Sequence, residues 1–174
     1  MSRALLLLLP LFFVTACAGR PALPSGDTRP FVLERDLAGK TRARGTFSSI
    51  TGDVRGFTAY LDGTWDGETL TLIEDFDFDD GEKDRKTWRL SKTADGRFVG
   101  TREDVIGEAE GFYEEGAFRL EYIVRLGDGG RKVKFRDILY KRADEAIVNE
   151  ATVGYWGLRV GRVRLLIERE GAAE

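Results

Sequence analysis

Histidine is absent from the 174 residues, cysteine occurs once, methionine once and proline four times. Without histidine there is no Ser-His or Cys-His nucleophile pair, no imidazole metal ligand and no axial-histidine haem. A single cysteine excludes an intrachain disulfide and a cysteine-rich zinc site. Basic excess is missing as well: 27 Lys and Arg stand against 30 Asp and Glu, which makes nucleic acid a poor electrostatic partner. No phosphate-cradling loop is present, because Gly127-Asp128-Gly129-Gly130 is followed by neither a helical pattern nor Lys-Ser/Thr. The longest apolar run, Ala4–Val14 with Pro10 inside it, is well short of the ~20 residues of a spanning helix. What remains is a chain 42% hydrophobic and 33% charged, long enough for one ordinary core.

The N-terminus reads MSRALLLLLPLFFVTAC. A positive start at Arg3, a short apolar run and small residues at its end make a secretory signal. Val14-Thr15-Ala16-Cys17 resembles the bacterial lipobox. That resemblance implies cleavage after residue 16, a diacylglyceryl group on the Cys17 sulfur and acylation (palmitate-type chains) of its amine. Two or three chains at ~0.8 kcal/mol per buried methylene hold a protein stably on a membrane. Ala18 rather than Asp follows the cysteine, which by the enterobacterial sorting rule favours the periplasmic face of the outer membrane over the inner membrane. The expected layout is a signal over 1–16, a lipidated Cys17 with a Pro-containing stiff tether over 17–30, and a folded domain over 31–174.

That domain contains no proline, yet all of the 21 glycines except Gly19 and Gly26 fall within it. Glycine without proline suits antiparallel strands joined by tight turns. Turn signals occur at Thr51-Gly52-Asp53, Asp62-Gly63, Asp66-Gly67, Asp80-Gly81, Asp95-Gly96, Glu115-Gly116 and Asp128-Gly129-Gly130. Between them the sequence predicts strands near 42–50, 54–61, 68–78, 84–92, 96–103, 107–113, 117–127, 131–141, 145–153 and 157–169. Several alternate cleanly: Phe118, Leu120, Tyr122 and Val124 oppose Arg119, Glu121 and Arg125. Period two with one dry face is the mark of a half-buried strand. The last segment changes phase at Gly161-Arg162, which predicts a bulge or bend. The expected fold is all-β, an antiparallel up-and-down meander of about ten strands closed into a lipocalin-like barrel. A two-sheet β-sandwich is the alternative.

From Leu70 to Tyr122 the chain resembles the bacterial lipoproteins grouped as domain of unknown function 3833. The matching residues are Glu74-Asp75-Phe76, Asp80-Gly81, Arg85-Lys86-Thr87-Trp88 and Phe98-Val99-Gly100, then Asp104-Val105-Ile106-Gly107-Glu108-Ala109-Glu110-Gly111 and Tyr122. The chain departs from the family's Gly-Asn-Ala step, since Gly116 is followed directly by Ala117. The resemblance implies an envelope lipoprotein of one domain and brings no activity with it.

The acidic stretch from Asp75 to Glu82 invites a calcium reading, but the EF-hand glycine comes one position late, at Gly81. A solvated strand face running into a turn explains it, and no metal or cofactor is expected. Glu74 is more unusual. It shares phase with Leu70, Leu72, Phe76 and Phe78, so a regular strand turns it inward; Asp137 does the same beside Val133, Phe135 and Leu139. A buried carboxylate must be paired, hydrogen-bonded or protonated. Arg85, Arg89, Arg102 and the Trp88 indole are the candidate partners. The cluster reads either as a polar plug or as the anchor of a ligand cavity that holds a carboxylate or hydroxyl headgroup through arginine.

Phe57, Trp65, Phe76, Phe78, Trp88, Phe98, Phe112, Phe118, Tyr122 and Phe135 are candidates for the walls of such a cavity or for plain core. Gly107, Ala109 and Gly111, two apart, would let a large side chain approach one strand face. The expected function is a lipid-anchored envelope protein, not an enzyme, that binds an apolar or amphipathic, lipid-derived small molecule. Glu74, Trp88, Tyr122 and Asp137 are its candidate ligand-binding positions. A solid-cored interaction module of an envelope complex and a carboxylate-based hydrolase are the alternatives.

Overall fold

The computed structural model describes residues 18–127 and 130–170; the expected signal segment and Cys17 lie outside the described residues. Ten strands follow one another: β2 (Gly39–Ser49), β3 (Val54–Trp65), β4 (Thr69–Phe78), β5 (Lys83–Lys92), β6 (Phe98–Thr101), β7 (Ala109–Glu114), β8 (Ala117–Leu126), β9 (Arg131–Arg142), β10 (Ile147–Tyr155) and β11 (Leu158–Arg169). They are preceded by β1 (Thr28–Arg29) and a one-turn helix, α1 (Leu33–Asp36). Each barrel strand pairs antiparallel with the next, and β11 returns to β2 from Gly161↔Ser49 to Arg169↔Thr41. That last pairing closes the ring and excludes the sandwich. A meander of strands this short would otherwise expose two edges.

The expected phase change is a bulge. Val153 pairs with Gly161 while Gly154 pairs with Arg159, so Val160 is the extra residue, one position before the expected site. It allows both Val160 and Val163 to face the interior.

The two ends of the barrel differ. At one end, Phe31, Leu33 and Leu37 around α1 sit among Leu61, Leu70, Leu90, Phe98, Phe118 and Ile167, all buried. The Asp36 carboxylate accepts from the Val32 N–H (2.8 Å) and pairs with Arg35 and the buried Lys141. The Tyr113 hydroxyl accepts from the Leu33 N–H (2.9 Å) and donates to Glu34 (3.2 Å). This plug corrects one turn assignment. Asp62-Gly63 does not reverse the chain but lies inside β3, where a Cβ on Gly63 would come within 1.9 Å of the Leu37 carbonyl oxygen. Glycine is there to let the plug's backbone seat against the wall. Gly63→Ala is expected to cost about 1–3 kcal/mol by forcing the two backbones apart, read as a lower urea midpoint.

Residues 18–30, expected as a stiff tether, run along the outside of the barrel. Thr152 donates to the Gly19 carbonyl, Arg119 to that of Pro21, and Thr28–Arg29 add two residues of ladder to β9. This explains why outward-phase Arg119 and Thr152 are buried in this sector.

Candidate functional site

Opposite the plug the interior is open. A cavity of about 440 Å³ enters between the β2–β3, β4–β5, β8–β9 and β10–β11 turns and reaches the middle of the barrel. Its walls are apolar: Phe47, Phe57, Phe76, Phe78 and Phe135, with Val133, Val153, Val160, Val163 and Leu165. Phe57 lies edge-on to Phe76 at 5.6 Å between ring centroids, and Phe135 stacks on Tyr122 at 5.2 Å. The solid-core alternative does not hold for this half of the molecule.

The floor is polar. All four residues singled out in the sequence, Glu74, Trp88, Tyr122 and Asp137, line this one cavity, because the period-two phase of β4, β5, β8 and β9 turns each inward. The Tyr122 hydroxyl donates to Asp137 Oδ2 at 3.3 Å, and Asn149 Nδ2 donates to the same oxygen at 3.4 Å. Asp137 Oδ1 and Glu74 Oε2 are buried and accept no hydrogen bond from any described residue. Of the proposed partners, only Arg102 approaches Glu74, with Nη1 3.9 Å from Oε2. Arg85 instead pairs with Asp75 on the outer face, and Arg89 is exposed. The acidic run that suggested calcium is tied up in this way too: Asp77 pairs with Lys83 and Asp80 with Arg55.

Burial raises the Glu74 carboxyl to about 7, with Arg102 pulling the other way. Burial likewise raises Asp137 to about 7 against the hydrogen bond from Asn149 and the charge of Arg102. The Tyr122 phenol is pushed well up by burial and by the neighbouring Asp137. Arg102 stays charged. It is held by both oxygens of Asp104 (2.7 and 3.2 Å) and lies over the rings of Trp88 and Tyr122, at 4.7 and 5.3 Å from their centroids.

Three cations line the cavity and each has a carboxylate partner: Arg102 has Asp104, Lys86 has Asp84 at 2.9 Å, and Arg55 has Asp80 and Glu82. The arginine expected to hold a ligand headgroup is thus charge-compensated: Nε and Nη2 of Arg102 are taken by Asp104, and Nη1, 3.9 Å from Glu74, is the part of it left to the cavity. What the floor offers is two acceptor oxygens without donors among the described residues, with Arg102 Nη1 beside one of them.

Sequence reasoning missed Asn149 and Asp104 as members of this cluster. Asn149 sits in the inward phase of β10 beside Ala151 and Val153, a signal that was there to be read. Asp104 follows β6 in the loop of 102–108, which lies beside β8 through Val105↔Val124 and so completes the wall where β6 is short. Several expected wall aromatics lie elsewhere. Phe98 and Phe118 pack in the plugged half, edge to face at 5.4 Å. Phe112 points outward, with Arg20 and Arg97 over its ring, because Gly111 takes the inward phase. A Cβ at Gly111 would lie 2.5 Å from the Phe118 ring, so close approach is its role, and Ala109 is fully buried. Gly107 instead takes a positive φ of 73° in the loop.

A closed ten-stranded meander with one plugged end and an apolar cavity at the other is a lipocalin-like barrel. The chain belongs to the family described as "Protein of unknown function (DUF3833)", which matches residues 11–169. Among solved structures it is similar to an S-type phycobiliprotein lyase from Guillardia theta. The TM-score is 0.62 at 12% identity, over 81% of this chain and 92% of that one. The curated proteins contain no match.

Proposed function

We propose that this protein is a lipid-anchored envelope barrel that binds an amphipathic, lipid-derived small molecule, its chain against the aromatic walls and its head on Glu74 and Asp137. The observation that carries this reading is the pairing of an apolar cavity of about 440 Å³ with two buried acceptor oxygens that have no donor. A buried acceptor left alone costs about 1–3 kcal/mol, and a bound head that donates to it recovers this. Pockets of roughly 300–1,000 Å³ with few, converging polar groups are the usual form of small-molecule sites. With every lining cation paired, the head that fits is a hydroxyl or an ammonium rather than a carboxylate. The fold is shared with the S-type phycobiliprotein lyase.

Native mass spectrometry of the protein purified from its own envelope tests the reading. A co-purifying small molecule, or saturable binding of a long-chain alcohol or amine at least tenfold tighter than of the fatty acid of equal length, is the expected result. An empty protein that binds none of the three overturns it. The anchor is tested by metabolic labelling with a palmitate analogue, in which Cys17→Ser is expected to abolish the label.

A further inference from the structure

The mouth of the cavity and the point where the N-terminal chain arrives coincide. Ala18 donates its N–H to the Gly157 carbonyl (3.0 Å) in the β10–β11 turn, and its own carbonyl accepts from Arg136 (2.6 Å). Its methyl is seated over Gly154, where a Cβ would come within 2.9 Å of it. Ala18 is buried by these contacts. Ala18, the first described residue, is therefore fixed at the rim.

The same rim bears the most exposed large apolar side chains among the described residues. Trp156 is 87% exposed, Ile50 and Val54 are each 66% exposed, and Leu158 is 53% exposed. Ile50 donates its N–H to the Val160 carbonyl, which ties the β2–β3 turn to β11. Ile50, Val54, Trp156 and Leu158 thus share one arc of the mouth, and Leu126 at the end of β8 extends it past β9. The acidic β4–β5 turn, with Asp79, Asp80 and Glu82, stands on the other arc. None of these apolar residues belongs to the core cluster. Trp156 holds its own backbone at a φ of 52°, in a turn that presents the indole outward. An indole is the side chain best suited to the boundary between headgroups and acyl chains.

We infer that the Ile50–Val54–Trp156–Leu158 arc docks on a lipid bilayer, so that the cavity opens onto the membrane surface rather than away from it. A lipid surface is favoured over a protein partner because the membrane-directed end of the chain is fixed at this arc by Ala18. In such a pose an amphipathic molecule passes head-first from bilayer to cavity without crossing water. The inference rests on the membrane attachment proposed above. It does not require the cavity to be filled.

The test uses the full-length protein from the envelope, reconstituted into phosphatidylcholine vesicles with or without brominated phosphatidylcholine. Trp88 is buried in the barrel and Trp65 lies at the plugged end, so brominated lipid is expected to remove emission from Trp156 alone. Trp156→Phe is expected to float with the vesicles as before and to lose the lipid-dependent quenching. Ile50→Lys combined with Leu158→Lys is expected to reduce the quenching while the protein still floats. Protein that floats with an unquenched Trp156 overturns the docking and leaves the anchor standing. Protein that does not float overturns both. Quenching in a protein that binds no ligand supports docking while the ligand reading fails.

Discussion

Unfolding free energy is expected to fall as the pH is raised from 5 to 8. The carboxyls of Glu74 and Asp137 titrate near 4.5 and 3.8 when solvated and at about 7 in the folded barrel. Between those limits the native state holds protons that the unfolded chain has released. Stability is therefore full below the unfolded values and is lost as the pH passes through about 7. At 1.36 kcal/mol per unit, the full shift is worth about 3 kcal/mol for Glu74 and about 4 kcal/mol for Asp137. Both face the single charge of Arg102, so the two losses do not simply add. Urea midpoints at pH 5, 6, 7 and 8 measure the effect. With Glu74→Gln and Asp137→Asn together the profile is expected to flatten and the protein to be more stable than wild type at pH 8. A wild-type profile already flat from 5 to 8 would mean that water reaches both carboxyls.

A separate loss is expected at acid pH. Asp36, Glu34 and Glu121 are held below their ordinary values, burial being opposed chiefly by Arg35 for the first, by Lys92 for the second, and by Lys134 with Arg20 for the third. Their contribution is present above the unfolded carboxyl range and disappears as the pH falls below about 4. The two groups of carboxyls thus leave a stability maximum near pH 5, set from above by the cavity and from below by the plug and the outer wall.

The period-two pattern was enough to place the ten strands and to turn Glu74, Trp88, Tyr122 and Asp137 to one interior. That pattern reports which face a residue is on, and in a meander consecutive strands keep the faces aligned. It does not report height along the barrel. Phe98 and Phe118 read the same way as Phe57 and Phe135, yet one pair packs the plug and the other lines the cavity. Nor does it report contacts made by chain outside the strands. Arg119 looks like a solvated position until residues 18–30 lie over it, and Gly63 looks like a turn until Leu37 needs the space. The pairing of Arg102 with Asp104 two residues on was available as spacing. That it compensates the charge of Arg102 inside the cavity depends on the loop folding back over β8, which no local pattern encodes.

Two alanines on the inward face give opposite results if half the barrel is empty. Ala151 in β10 is buried and lines the cavity between Asp137 and Val163, its ladder partners. Ala43 in β2 is fully buried opposite Ala59, within the packed core. A phenyl ring introduced at Ala43 has no free volume, and overpacking of this kind costs about 1–3 kcal/mol or more. At Ala151 the ring enters existing space beside Phe135 and Val153 and buries apolar surface there. Full burial of such a ring is worth about 1.5–3 kcal/mol, so Ala151→Phe is expected to be neutral or stabilising. Because the ring occupies the space above the carboxyl floor, it is also expected to weaken binding of a long-chain alcohol or amine by about a hundredfold or more, near 2.7 kcal/mol at 1.36 kcal/mol per decade. Calorimetry with the alcohol and a thermal melt of each variant provide the two measurements. An Ala151→Phe protein that is destabilised like Ala43→Phe would show the interior to be closed. One that is stable and still binds the alcohol as wild type does would place the ligand elsewhere on the molecule.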